Sequence, residues 1–314
     1  MNITNIGQNI KPLVVIRCCT YNHEHYIREA LEGFIKQETT FRFVAIIHDD
    51  ASTDGTAEII KQYAAKYPSI IYPILESENQ YSKNDGSIRR IMNDACLSTG
   101  AKYIAICEGD DYWTDPTKLQ RQVEIMEKYP DVMLCFHRIY RENEKHPERS
   151  GLGKNVNDRF YSGVEWFKER PSQTASFMYR SSIICTDLYK RIFENRKFIV
   201  GDIPLVMTCA EVGDLYGLSR AMSVYRINSG GWTSQSRSRD ERWKTISLQL
   251  EYKVFGQEVA KVAQYFAQKD AMSYFLTDLV KKKKFSLQFL KFSLSISVLG
   301  TFKAVYKLCT HQNN

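Results

Sequence analysis

Ile104-Ala105-Ile106-Cys107 is a short apolar run that stops on Glu108-Gly109-Asp110-Asp111. A run of that length, ending in polar residues, reads as a buried strand with the acids at its carboxyl end. Three carboxylates within four positions repel one another unless a cation or hydrogen-bond donors neutralise them. Oxygen ligands of this kind suit Mg²⁺ or Mn²⁺ shared with the phosphates of a substrate. Capping of the next helix is the lesser explanation, because Asp115 before Pro116 is better placed for it.

The segments before this run alternate in period. Pro12 to Cys19 reads as a strand, residues 26–38 as an amphipathic helix, and Phe43 to His48 as a second strand. Residues 56–66 then read as a helix, Ile70 to Leu75 as a strand, 86–99 as a helix, and Tyr103 to Cys107 as the fourth strand. Such alternation predicts an α/β fold with a mostly parallel central sheet flanked by helices. Ligands bind at the carboxyl ends of strands in sheets of this type. Three polar clusters fall there: Thr20-Tyr21-Asn22, Asp49-Asp50 and Glu108 to Asp111. A turn with its own side-chain hydrogen bonds accounts for Ser52 and Thr53. The acid pair asks for more, and a carboxylate there can accept from a nucleobase N–H. Tyr21 is either core or a ring on which a base stacks. His23 and His25 read as exposed turn residues without a role.

Beyond Pro116 the pattern predicts a helix to about Tyr129, a strand over Val132–Tyr140 and a mobile loop over 141–160. Helices are expected at 161–170, 182–195, 203–213 and 240–280, with strands at Ala175–Arg180, Phe198–Val200 and Val224–Arg226. The eight cysteines include no C-x-x-C pair, so neither a zinc site nor a disulfide framework is expected. The N-terminus lacks the layout of a signal peptide, and a reduced, cytoplasmic protein is the expectation.

Formal net charge is +7, and its distribution decides more than its size. Residues 281–314 hold seven lysines and no acid, leaving 36 basic against 36 acidic residues elsewhere. A nucleic-acid binder would spread its basic residues differently. The tail FSLQFLKFSLSISVLGTFKAVYKLC is apolar but broken by Lys291 and Lys303, which argues against a membrane-spanning helix. A helix lying at the membrane interface through 281–308 is expected, on the inner face of the cytoplasmic membrane. Packing on the protein, or a homodimer contact, is the alternative.

Three segments, VIRCCTYNHEHYIREALEGFIKQ, IIHDDASTDGTAEII and GAKYIAICEGDDYWTDPTKLQRQV, stand in an order and spacing that resemble the catalytic domain of family 2 glycosyltransferases. The resemblance covers roughly residues 12–235. It implies the GT-A fold over residues 1–235, with a nucleotide-sugar-binding half at 12–130 and an acceptor half at 131–235. Residues 236–314 would form a helical C-terminal region. It implies that Thr20, Tyr21, Asn22 and Asp50 hold the nucleotide, with Glu108 and Asp110 beside them. Asp110 is the expected ligand of a divalent metal, Mn²⁺ or Mg²⁺. Glu108 replaces the first Asp of the family's DxD signature. Asp202, in Gly201-Asp202-Ile203-Pro204-Leu205, is the expected general base, although an N-cap role fits the same position. Asp111, Arg226 and Trp232 are candidate diphosphate or acceptor contacts. Asn228 stands where many relatives have His.

The implied reaction is inverting transfer of a sugar from a nucleoside-diphosphate sugar, UDP by analogy, to a glycan or lipid-linked acceptor in cell-surface polysaccharide synthesis. A sugar-nucleotide nucleotidyltransferase is the alternative enzyme class. It calls for a Gly-rich basic loop after the first strand, where this chain has Thr20-Tyr21-Asn22-His23. A catalytically silent binding module is disfavoured by intact polar clusters at all three strand ends, two of them acidic.

Overall fold

The computed structural model describes residues 11–83, 85–194, 201–228 and 255–310. The expected strand at 198–200, helical residues 240–254 and Trp232 lie outside the described residues. The chain divides into two compact units. The first takes Met1–Ser162, Arg170–Arg196 and Asp202–Gln235, and the second takes Gly163–Glu169, Lys197–Gly201 and Ser236–Asn314.

The first unit opens with β1 (Val14–Thr20), α1 (Ile27–Ile35), β2 (Phe43–Asp49), α2 (Thr56–Lys66), β3 (Ile71–Leu75), α3 (Ser87–Ser98) and β4 (Tyr103–Ile106). Then come β5 (Tyr112–Trp113), α4 (Lys118–Lys128), β6 (Val132–His137), β7 (Tyr140–Asn143), β8 (Gly151–Leu152) and β9 (Arg159–Tyr161). After α5 (Gly163–Glu169), which belongs to the second unit, follow β10 (Met178–Arg180), α6 (Asp187–Glu194), α7 (Asp202–Val212), β11 (Asp214–Leu218) and β12 (Ser223–Ile227).

Eight strands form the main sheet in the order β3-β2-β1-β4-β10-β6-β11-β9, and β5-β12-β7-β8 form a smaller one. β1 runs parallel to both neighbours, with Thr20 opposite Asp49 and Arg17 opposite Ile106. The first two polar strand ends therefore share one rim. Val14, Ile16 and Cys18 of β1 join a core with Ile27, Leu31 and Phe34 of α1 and Leu119, Val123 and Met126 of α4. Val15 on the other side of the strand is also buried, as expected of an interior parallel strand. α1 lies directly on β5. A Cβ on Gly33 would stand 2.9 Å from the Trp113 carbonyl oxygen, so only glycine allows this approach.

Several expectations are corrected. The strand expected over 132–140 divides into β6 and β7, which pair in different sheets. The stretch expected to be a loop, 141–160, carries β8 and the start of β9. The regions expected as strand from Ala175 and helix from 182 each begin with a 3₁₀ turn, Thr174–Ser176 and Ser181–Cys185. β5 and β11 are not legible in the sequence. β5 is two residues held by antiparallel pairing to β12, and β11 is held between β6 and β9. Pairing to distant partners makes these strands, not local pattern.

A buried polar network lies beneath β5. Lys118 is fully buried, with Nζ 2.7 Å from Gln122 Oε1 and 4.0 Å above the Trp113 ring. Gln122 donates onward to the carbonyls of Cys135 and Ser176. Burial lowers the Lys118 pKa from 10.5 to about 7. The unfolded chain then binds more protons than the folded one between about pH 7 and 10.5, so this group's contribution to stability rises with pH across that window. Urea denaturation of wild type and Lys118→Met should show the difference between them shifting toward wild type from pH 7 to pH 10; a pH-independent difference would contradict a displaced lysine pKa.

The second unit is helical. α5 packs with α8 (Gln257–Lys281), the Phe167 and Phe266 rings meeting edge to face at 6.0 Å. α9 (Leu287–Ile296) and α10 (Val298–Thr310) close a core of Ala267, Ala271, Met272, Phe275, Phe289 and Ala304. Ser297, with extended φ −166 and ψ 125, separates them, so the tail expected as one interfacial helix is two. Polar groups fasten the helices inside. Gln268 Nε2 donates to the Ser293 and Ser297 carbonyls at 3.0 and 2.9 Å, and the Ser293 and Thr301 hydroxyls meet at 2.7 Å. No helix among the described residues is long and apolar enough to cross a membrane.

Candidate active site

The rim is built where β1, β2 and β4 end. Past β4 the chain stays paired to β1: the Cys107 N–H donates to the Arg17 carbonyl at 3.1 Å and the Gly109 N–H to the Cys19 carbonyl at 2.9 Å. That pairing carries Glu108 to the level of Cys19, whose N–H donates to Glu108 Oε2 at 3.2 Å. Gly109 then rests against Thr20. A Cβ on Gly109 would lie 2.5 Å from Thr20 Oγ1 and 3.0 Å from His23 Nδ1. Neither of those buried atoms has a hydrogen-bond partner among the described residues.

His23 is therefore not the exposed turn residue expected. Its imidazole packs over Gly109, and burial holds it below its ordinary pKa against the pull of Asp110, Asp54 and Asp49. The adjoining turn is tied across strands. The Asn22 N–H donates to Ser52 Oγ at 2.9 Å, and Asn22 Oδ1 accepts from the Thr53 N–H at 2.8 Å. Asn22 has φ 54, a conformation asparagine tolerates better than most residues. Tyr21 beside it is 43% exposed, which leaves its ring available for stacking.

The acids at the rim have separate environments. Asp49 closes its own turn, accepting from the Ser52 hydroxyl and N–H. Asp50 is buried and accepts from the N–H groups of Gln80 and Tyr81 at 2.7 and 3.0 Å, clasping the loop after β3. Each oxygen of a carboxylate has two acceptor directions, so this clasp still permits a further donor. Burial raises the Glu108 pKa; Arg17 opposes the rise, while Asp110 and Asp202 add to it. Asp111 is buried and accepts from the Arg226 N–H at 2.9 Å, and burial, then Asp110, pushes its pKa well above the carboxylate range.

Asp110 is the acid presented to the rim. Asn228 Nδ2 donates to its Oδ2 at 3.1 Å, so the asparagine orients this carboxylate. Arg226 is committed to the protein. Its guanidinium pairs with Glu29, approaches Glu142 at 3.7 Å, donates to the Asp110 carbonyl at 3.3 Å and lies 4.3 Å from the Tyr112 ring centre. It ties β12 to α1 and β7 behind the acid cluster. Asp202 is the first residue of α7 and partly buried. Its charge adds a minor part to the rise of the Glu108 pKa.

Among the described residues no three His, Cys, Asp or Glu side chains converge as a metal cage. That donor set still fits Mg²⁺ or Mn²⁺ held by one carboxylate and substrate phosphates, because such ions are ordinarily bound through one or two carboxylates plus substrate oxygens. Asp110, partly exposed at the rim, would be the one to supply it. Glu108 and Asp111 already accept backbone hydrogen bonds.

A Rossmann-like sheet whose strands β2 and β4 end in carboxylates beside the end of β1 is a GT-A type fold. The family profile described as glycosyl transferase family 2 matches residues 16–193, and the chain belongs to that family. An uncharacterized protein of Mycobacterium tuberculosis is 36% identical over 230 residues, covering 72% of this chain and 62% of its own length. The chain thus spans about three fifths of that relative. A dTDP-rhamnosyl transferase of Shigella flexneri is 26% identical over 263 residues, covering 79% of this chain and 84% of its own. The crystal structure of S. aureus TarS 1–349 in complex with UDP-GlcNAc shares the fold, with TM-score 0.61, 16% identity, and coverage of 88% of this chain and 77% of that one. So does a mannosyltransferase from Pyrobaculum calidifontis in complex with GDP-Man and Mn²⁺, with TM-score 0.51, 13% identity, and coverage of 97% and 81%.

The Gly109 contact yields a direct test. Gly109→Ala forces its methyl group into the Thr20 side chain and should cost about 1–3 kcal/mol, the range for overpacking a tight site. A urea midpoint equal to wild type would show that β1 and the acid cluster are not in contact as described.

Proposed function

We propose that the chain is an inverting glycosyltransferase that moves a sugar from a nucleoside-diphosphate sugar to a hydroxyl of a glycan or lipid-linked acceptor in polysaccharide synthesis. The observation that supports this reading is the seam that sets Glu108 on the Cys19 N–H and Gly109 on Thr20, and leaves Asp110 beside Asn228 at the strand ends where Asn22 and Asp50 also lie. Structural neighbours bound to UDP-GlcNAc and GDP-Man support a nucleotide-sugar donor, with UDP the proposed nucleotide. The reading extends to contact between residues 281–308 and the membrane that bears such an acceptor.

In this reading Tyr21 stacks on the base, and Thr20, Asn22 and Asp50 shape the pocket around the nucleoside. Asn228 holds Asp110 toward the diphosphate. A divalent ion on Asp110 would neutralise charge gathering on the leaving diphosphate. Asp202 takes the proton from the acceptor hydroxyl as its oxygen attacks the anomeric carbon. The bond from that carbon to the diphosphate breaks, and its electron pair leaves with the nucleoside diphosphate. Attack from the opposite side inverts the centre, so no enzyme nucleophile is needed.

Release of nucleoside diphosphate from a panel of sugar nucleotides, with an acceptor extract present, identifies the donor. Asp202→Asn should keep donor affinity while transfer falls about 10²–10⁴-fold, the usual contribution of a general base. Transfer near the wild-type rate would assign the base elsewhere. Nucleotide transfer with no sugar transfer would replace the reading with a nucleotidyltransferase.

A further inference from the structure

α10 has two apolar sides, and only one of them is used. Thr301 and Ala304 are buried and face the core of the second unit. Val298, Leu299, Phe302 and Tyr306 recur at helical spacing on another side, and they are 59%, 65%, 66% and 71% exposed. Lys303 and Lys307 lie along one edge of this stripe, Lys307 also donating to the Tyr265 hydroxyl of α8 at 3.3 Å. Nearby α9 exposes Leu287 and Leu294 with Lys291 on the same side, and Phe285 ahead of it is also exposed. Scattered surface leucines need no explanation. A continuous stripe of large apolar side chains along a helix already packed on its other side does.

Charge selects the occupant. No acidic residue occurs between positions 279 and 310, while lysines stand at 281–284, 291, 303 and 307. Pairing two copies through this stripe would set Lys303 and Lys307 of each copy near one another with no carboxylate to meet them. An anionic lipid surface meets both demands: acyl chains take Phe302, Leu299 and Tyr306, and headgroups take the lysines.

We propose that the exposed side of α10, with the start of α9, docks the second unit onto anionic lipid as a packed helical pair lying at the interface, not as a free tail. The inner sides of both helices stay on α8, and their outer sides enter the headgroup region. The proposal rests on the membrane contact read above for residues 281–308 and not on the transfer chemistry, so flotation can fail while the proposed reaction stands.

Sucrose-gradient flotation of the full chain with phosphatidylcholine vesicles, with and without phosphatidylglycerol, tests this. The protein should float with the anionic vesicles and lose binding as salt rises. Lys303→Ala with Lys307→Ala should lower partitioning about thirtyfold. Leu299→Ser with Phe302→Ser should abolish flotation while circular dichroism keeps its helical signal; if that signal is lost, the lysine pair decides. Absence of flotation with both vesicles, or flotation unchanged by the lysine pair, overturns the proposal. So does a dimer in sedimentation that the Leu299 and Phe302 substitutions convert to monomer, since a second copy would then cover the stripe.

Discussion

The junction of β1 with the segment after β4 governs the site. Two backbone hydrogen bonds, from Cys107 to Arg17 and from Gly109 to Cys19, prolong the parallel pairing beyond the regular strand. They bring Glu108 onto the Cys19 N–H and press Gly109 onto Thr20. The arrangement of the acid cluster follows from that seam. It turns Asp111 inward to the Arg226 backbone and leaves Asp110 on the rim beside Asn228.

Carboxylates this close survive because each has a different fate. Asp111 is buried on a backbone donor, Glu108 sits between a backbone donor and the field of Arg17, and Asp110 takes a side-chain amide. A motif that looks uniform in sequence is thus divided into two supporting acids and one presented acid. Arg226 holds β12, α1 and β7 together through Glu29 and Glu142.

Legibility in the sequence followed the locality of the signal. α2 reads correctly from its own periodicity, and the strands β1 to β4 stand out as apolar runs ending in polar residues. β5 and β11 do not, because their pairing partners lie far along the chain. His23 carried no signal: only the approach of Gly109 shows that its ring is packed against the acid cluster. Lys118 was equally silent. A lysine on an amphipathic helix reads as surface, and Gln122 with the Trp113 ring is what makes its burial tolerable. Nothing in the tail's sequence marks its serines for pairing, yet the Ser293 hydroxyl meets that of Thr301 and the Ser297 hydroxyl accepts from the Gly300 N–H.

The sequence by itself determined the alternation of strand and helix, the placing of acids at strand ends, and the lysine-rich, acid-free character of residues 281–310. These are properties of short segments, set by period, side-chain chemistry and local charge. Tertiary structure alone decided which of Glu108, Asp110 and Asp111 is presented, that His23 packs over Gly109, and which side of α10 stays bare. Those outcomes depend on which distant backbone donors and side chains arrive beside each group, and burial then determines its charge and its availability.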